Sequence, residues 1–109
     1  MIMRFDSEKA FKFLKENCFV ITLRGAYGAV KTPIVPVKIY HKGKEAGLSG
    51  SKVFVDHFDS GDSNEVLEIL NYYVRYSGFE TAKEWWEEAL KLSGDQHDWD
   101  IWYVHVGSV

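Results

Sequence analysis

A chain of 109 residues that is 46% apolar and 16% aromatic can bury one sizeable core, which fits a single domain over residues 1–109 and excludes a disordered chain. The lone cysteine, Cys18, excludes an internal disulfide and any multi-cysteine zinc site. The net charge of −3 hides a division: residues 1–52 carry ten Lys or Arg against four Asp or Glu, a balance of +6, and residues 53–109 carry three against twelve, a balance of −9. Such asymmetry fits either one basic face that meets phosphates or two ordinary solvated faces.

Cys18 reads as a small buried apolar residue. His41, His57, His97 and His105 fall at no HxH or HxxxH spacing, so neither a metal site nor a cofactor is expected. The longest uncharged apolar run, Cys18 to Leu23, is far short of the roughly 20 residues of a membrane helix. The N-terminal MIMRFDSEKA has no signal-peptide core, so the expected address is cytoplasmic, with no membrane partner.

Taken in order, the chain opens with a helical lead-in. Asp6 and Ser7 are good N-caps, and Ala10, Phe13, Leu14 and Asn17 follow at helical spacing, predicting a helix over 7–17. From Cys18 to Arg24, β-branched and aromatic residues predict a strand, with Phe19, Ile21 and Leu23 on its core face and Thr22 and Arg24 ending the other face at a rim. Gly25 and Gly28 break the pattern around Tyr27, and Lys31, Thr32 and Pro33 complete a loop. A second strand is predicted over 34–41; Pro36 places it at a sheet edge, or places its start outside the ladder.

His41-Lys42-Gly43-Lys44 reads as a hairpin turn. The strand that follows is interrupted by Gly47 and Gly50, as at a bulge or barrel corner, and resumes over 52–58. Asp56, Asp59 and Asp62 lack the spacing of a calcium loop and read as a turn and helix cap. A helix over 64–76 ends at Ser77-Gly78. Thr81 to Glu84 is a capping box that starts a helix over 82–92, with Trp85 and Trp86 docked on the sheet and Gly94 as the stop. Residues 99–106 form a last strand.

The order of these elements, the strand FVITLRG, the hairpin IYHKGKEAG, and SGFETAKEWWEEALKL followed by WDIWYVHV resemble, over nearly the whole chain, the ASCH domain, a branch of the PUA-like superfamily. The resemblance implies an α+β fold: a small, curved, mostly antiparallel β-barrel with about three helices packed outside it. It also implies a cleft near an arginine and a role in binding RNA or modified nucleosides. Members often carry Gly-x-Lys-x-x-Glu-x-Arg between the first helix and the first long strand. Laid on this chain, the pattern falls on Asn17, Phe19, Thr22 and Arg24, and only the arginine is kept.

Three functions are weighed. The leading expectation is a module for RNA or other single-stranded nucleic acid. Arg24, Lys31, Lys38, Lys42 and Lys44 would contact phosphate around the cleft, and Tyr27 or Tyr40 would stack on an unpaired base. Gly25, next to Arg24, would let a ligand backbone approach. The structural alternative for Arg24 is a pairing with Asp100 or Glu80. The second reading is an enzyme, since small ASCH-like amidohydrolases deacylate N4-acetylcytidine with a lysine, a threonine and a glutamate. Thr22 is then the one catalytic candidate, Phe19 stands where the lysine belongs, and Ser77 or Glu80 is nearest to the glutamate. The third is a protein-interaction domain using Trp85, Trp86, Trp99, Trp102 and Tyr103.

Overall fold

Residues 2–25, 34–61, 63–94 and 98–107 are described by the computed structural model. Its elements in chain order are β1 (Ile2–Phe5), α1 (Glu8–Asn17), β2 (Phe19–Gly25), β3 (Val35–His41), β4 (Lys44–Asp59) and α2 (Ser63–Asn71). A 3-10 turn (Val74–Tyr76), α3 (Ala82–Ser93) and β5 (Asp98–Val106) complete them. Among the described residues no helix is long and apolar enough to cross a membrane.

Local chemistry accounts for the helix ends. The Ser7 hydroxyl accepts from the Ala10 amide at 3.3 Å and starts α1, which buries Ala10, Phe11 and Leu14. The helix stops at Cys18, which is left-handed (φ 64°) and donates its amide to the Leu14 carbonyl at 2.8 Å. Cys18 is therefore exposed, contrary to its reading as a core residue, because it is the turn between helix and strand rather than part of either. At α3 the Thr81 hydroxyl accepts from the Glu84 amide at 3.1 Å, while the Glu84 carboxylate pairs with Lys9 of α1. That ion pair ties the two helices together.

The predicted helix over 64–76 ends early, at Asn71. The Ser77 hydroxyl donates to the Val74 carbonyl at 2.7 Å and accepts from the Phe79 amide at 3.1 Å, which draws the chain into the 3-10 turn. Trp85 is buried as expected, whereas Trp86 is half-buried with its ring edge-on to Trp99 at 5.0 Å.

The strands form one mixed sheet in the order β1-β3-β4-β5-β2, antiparallel except where β1 runs parallel to β3. β1 was read as part of the helical lead-in. It pairs only with a strand more than thirty residues away, at Ile2 opposite Lys38 through Phe5 opposite His41, so nothing in its neighbourhood marks it as a strand. β3 thus has neighbours on both sides from Lys38 onward, and Pro36 has one on the β4 side only, opposite Ser51. Lys42 (φ 51°) and Gly43 (φ 81°) both take positive φ in the hairpin, the geometry of a type I′ turn.

The sheet curls into a half-barrel. Arg24 of β2 and Phe5 of β1 belong to opposite ends of the strand order, yet the guanidinium carbon lies 4.7 Å from the Phe5 ring centroid. Their shared face is therefore the concave one. Gly50 permits this curl, because a Cβ there would fall 1.8 Å from the His105 carbonyl oxygen. Irregularities at Ala46-Gly47 and at Val55 add further bends to β4. The concave face buries Met3, Phe5, Val20, Val37, Ile39, Val104 and Val106, and the other face of β2 and β5 buries Ile21, Leu23, Trp99 and Ile101 beneath the helices. β2 is thus covered on both sides although it is a sheet edge.

Candidate functional site

Strand alternation carries β2 from Val20 through Thr22 to Arg24 on the concave face. Val20 is fully buried and Thr22 is 6% exposed, so the polar end of the face lies inside the curl rather than at an open rim. On β5 the partners of Thr22 and Arg24 are Trp102 and Asp100, the latter 5% exposed. Lys52 of β4 reaches the same place, with Nζ 4.1 Å from the Trp102 ring centroid.

Arg24 spans the mouth of the curl. Its Nε points at the Thr22 hydroxyl at 3.4 Å and its Nη1 donates to the Arg4 carbonyl on β1. Burial, and next the positive charge of Arg24, push the Lys52 amine below its ordinary value against the opposing pull of Asp100. Lys52 has no ion pair among the described residues. Two cations and the Asp100 carboxylate thus share one half-buried region, with positive charge in excess. The two cations line a hollow of about 370 Å3 between Ile2, Met3, Arg4, Arg24 and Lys52. A second hollow, of about 230 Å3, adjoins it in the gap between β1 and β2 and shares Arg4 and Arg24 as walls.

Of the residues singled out in the sequence, Thr22 and Arg24 are here, and Arg24 stands opposite Asp100 in register as its structural alternative required. Gly25 is buried opposite Trp99 and so offers no open approach for a ligand backbone. Lys38 is exposed on the convex face, between buried Val37 and Ile39. Tyr40 is half-buried opposite Glu45. Lys42 pairs with Glu8 and holds that carboxyl below its usual value, mainly through their hydrogen bond. Lys44 lines a different hollow with Lys15, Cys18 and His41. The predicted basic residues therefore do not share one hollow. Tyr27 and Lys31 lie outside the described residues.

Phe19 packs on the convex face against Phe13, Tyr103 and Tyr76 at 5.6, 5.7 and 5.8 Å. A lysine at that position would stand on the opposite face from Thr22. Ser77 is fully buried and committed to its turn, and Glu80 is exposed near Lys9, so neither stands beside Thr22 as a catalytic acid. Trp85, Trp99 and Trp102 are core residues, while Trp86 and Tyr103 are half-buried, which leaves little of the proposed aromatic surface. Among the described residues no group of three or more His, Cys, Asp or Glu could hold a metal ion.

Sequence reasoning missed Lys52 and Arg4. Lys52 opens a run of strand residues, and only the β4–β5 register sets it over Trp102 beside Arg24. Nor do the basic and acidic halves make two faces: Lys9 pairs with Glu84, and Asp100 stands opposite Arg24 and acts electrostatically on Lys52. Comparison of the chain with protein-family models, with curated proteins and with solved structures returned no match.

Proposed function

We propose that this chain is a cytoplasmic nucleic-acid-binding module of the PUA-like, ASCH-related type that holds phosphate of single-stranded RNA on the concave face of its half-barrel. The observation that carries this reading is the hollow bounded by Arg4, Arg24 and Lys52, with the Lys52 amine held over Trp102 and pushed below its ordinary value by burial and then by the charge of Arg24. A phosphate placed there relieves the repulsion between the two side chains, and the guanidinium fork grips it with a defined orientation.

The test is the affinity of the purified protein for a single-stranded oligoribonucleotide across a salt series. Two cations predict a slope of log affinity against log salt of about −1.4, and Lys52→Met should shallow it by about 0.7. Arg24→Lys should weaken binding despite keeping the charge, because the fork is lost. Affinity and slope unchanged in both variants would place the RNA elsewhere.

One observation favours a second reading, a hydrolase acting on an acylated nucleoside. Lys52 shares the concave face with Thr22 on either side of Trp102, so a hydroxyl and an amine face the same space. Release of acetate from N4-acetylcytidine, lost in both Thr22→Ala and Lys52→Met, would establish it. No release by the folded wild type removes it.

A further inference from the structure

The two adjoining hollows differ in character, and their common wall is the pair Arg4 and Arg24. The cationic one is described above. The other lies between the edge strands, walled by α1 and α3, and its lining is half apolar, with Phe5, Phe79 and Trp85 as its aromatic members, and half polar. At about 230 Å3 it falls below the size range of pockets for drug-sized ligands. It therefore fits one flat ring system rather than a stretch of chain. Its polar lining includes two carboxylates, Asp6 before α1 and Glu88 on α3, and neither makes an ion pair among the described residues.

A hollow with aromatic walls and two carboxylates stands next to a cationic one, so one ligand that fills both has a planar ring bearing N–H donors and an adjacent anion. We propose that the pair of hollows is a site for a single nucleotide carrying an exocyclic amino group on its base. The base enters the hollow between β1 and β2, its amino group donates to Asp6 or Glu88, and its phosphate lies across Arg4 and Arg24 against Lys52. This rests on the nucleic-acid reading above and deepens it. The recognised unit is one unpaired nucleotide, free or at a chain position where the base can leave the stack, and bases with an amino group are preferred over uracil. Carboxylate acceptance from the cytosine amino group is an established mode of base reading.

Titration of the full chain with CMP, AMP, UMP, cytidine and inorganic phosphate, followed calorimetrically and by tryptophan fluorescence, separates the parts. CMP or AMP should bind at least about tenfold more tightly than UMP. CMP should also bind more tightly than either cytidine or inorganic phosphate alone. Glu88→Gln and Asp6→Asn, both at partly or fully exposed positions, keep side-chain shape and remove the acceptor-only character. At least one of them should bring CMP and UMP to within about threefold, and Lys52→Met should reduce CMP to the affinity of cytidine.

Equal affinity for CMP, AMP and UMP in the wild type overturns the proposal, as does a preference that survives in both carboxylate variants. A single-stranded oligoribonucleotide is titrated alongside. If it binds in a Lys52-dependent way while no mononucleotide binds, the single-nucleotide site is wrong and the phosphate-binding reading stands. If neither binds, both fail.

Discussion

The two faces of strands β2 and β5 follow the same alternation and meet different demands. On the helix-covered face, Ile21, Leu23, Trp99 and Ile101 are apolar from end to end and buried under Trp85 and its neighbours. On the concave face the same strands carry Val20 and Val104 toward one end and Thr22, Arg24 and Asp100 toward the other, joined from β4 by Lys52. Half-burying two cations and nearly burying a carboxylate costs desolvation that a run of carbon side chains would avoid. The first face is what stability requires, and the second carries the proposed ligand site.

The sharpest way to break this comparison is to damage the apolar face. Trp85→Ala should cost about 3 to 5 kcal/mol in chemical denaturation. It is 3% exposed, so a loss under about 1 kcal/mol would mean that the ring carries little of the core.

Next in size is the curl itself. Gly50→Ala drives a methyl group into the His105 carbonyl and should cost about 2 to 3 kcal/mol, with weaker RNA binding because Lys52 and Arg24 no longer converge. A melting temperature equal to wild type would show that the strands do not approach so closely.

The smallest effect sharpens the comparison most. Lys52→Met should leave stability at neutral pH unchanged or raise it by up to about 1 kcal/mol, while impairing RNA binding. The pH dependence has a definite sign. The folded pKa of Lys52 lies below its unfolded value of 10.5, so the unfolded chain holds that proton more tightly. The penalty is present in full below the folded pKa and fades as pH rises from there toward 10.5. Wild type should therefore gain on Lys52→Met across that alkaline window, as measured by urea midpoints. A gap that widens instead would mean that the ammonium is stabilised in the folded protein.

How much of this was legible depended on how local each signal is. The Thr81 cap, the Lys42-Gly43 turn and the irregular Gly47 to Gly50 stretch are written in a few adjacent residues, and all were read. β1 was not, because a four-residue strand is defined by a partner far along the chain. Cys18 was misplaced because no glycine marks the left-handed junction that it occupies. Arg24 was singled out because it keeps the family pattern and ends a strand, whereas Lys52 became visible only once the β4–β5 register placed it over Trp102. Lys38, Lys42 and Lys44 were grouped with Arg24 because they share a sign and a stretch of sequence. The fold instead sends Lys38 to the convex face and the other two to the hairpin.

The central claim is that recognition takes place on the concave face, and amide chemical-shift mapping during titration with a short single-stranded oligoribonucleotide tests it most directly. The account predicts the largest shifts at Arg4, Phe5, Thr22, Arg24, Lys52 and Asp100, with the indole signal of Trp102 moving alongside, and little change at Lys38, Lys42 and Lys44. Shifts confined to the β3–β4 hairpin or to the convex face, with the concave residues still, would contradict it.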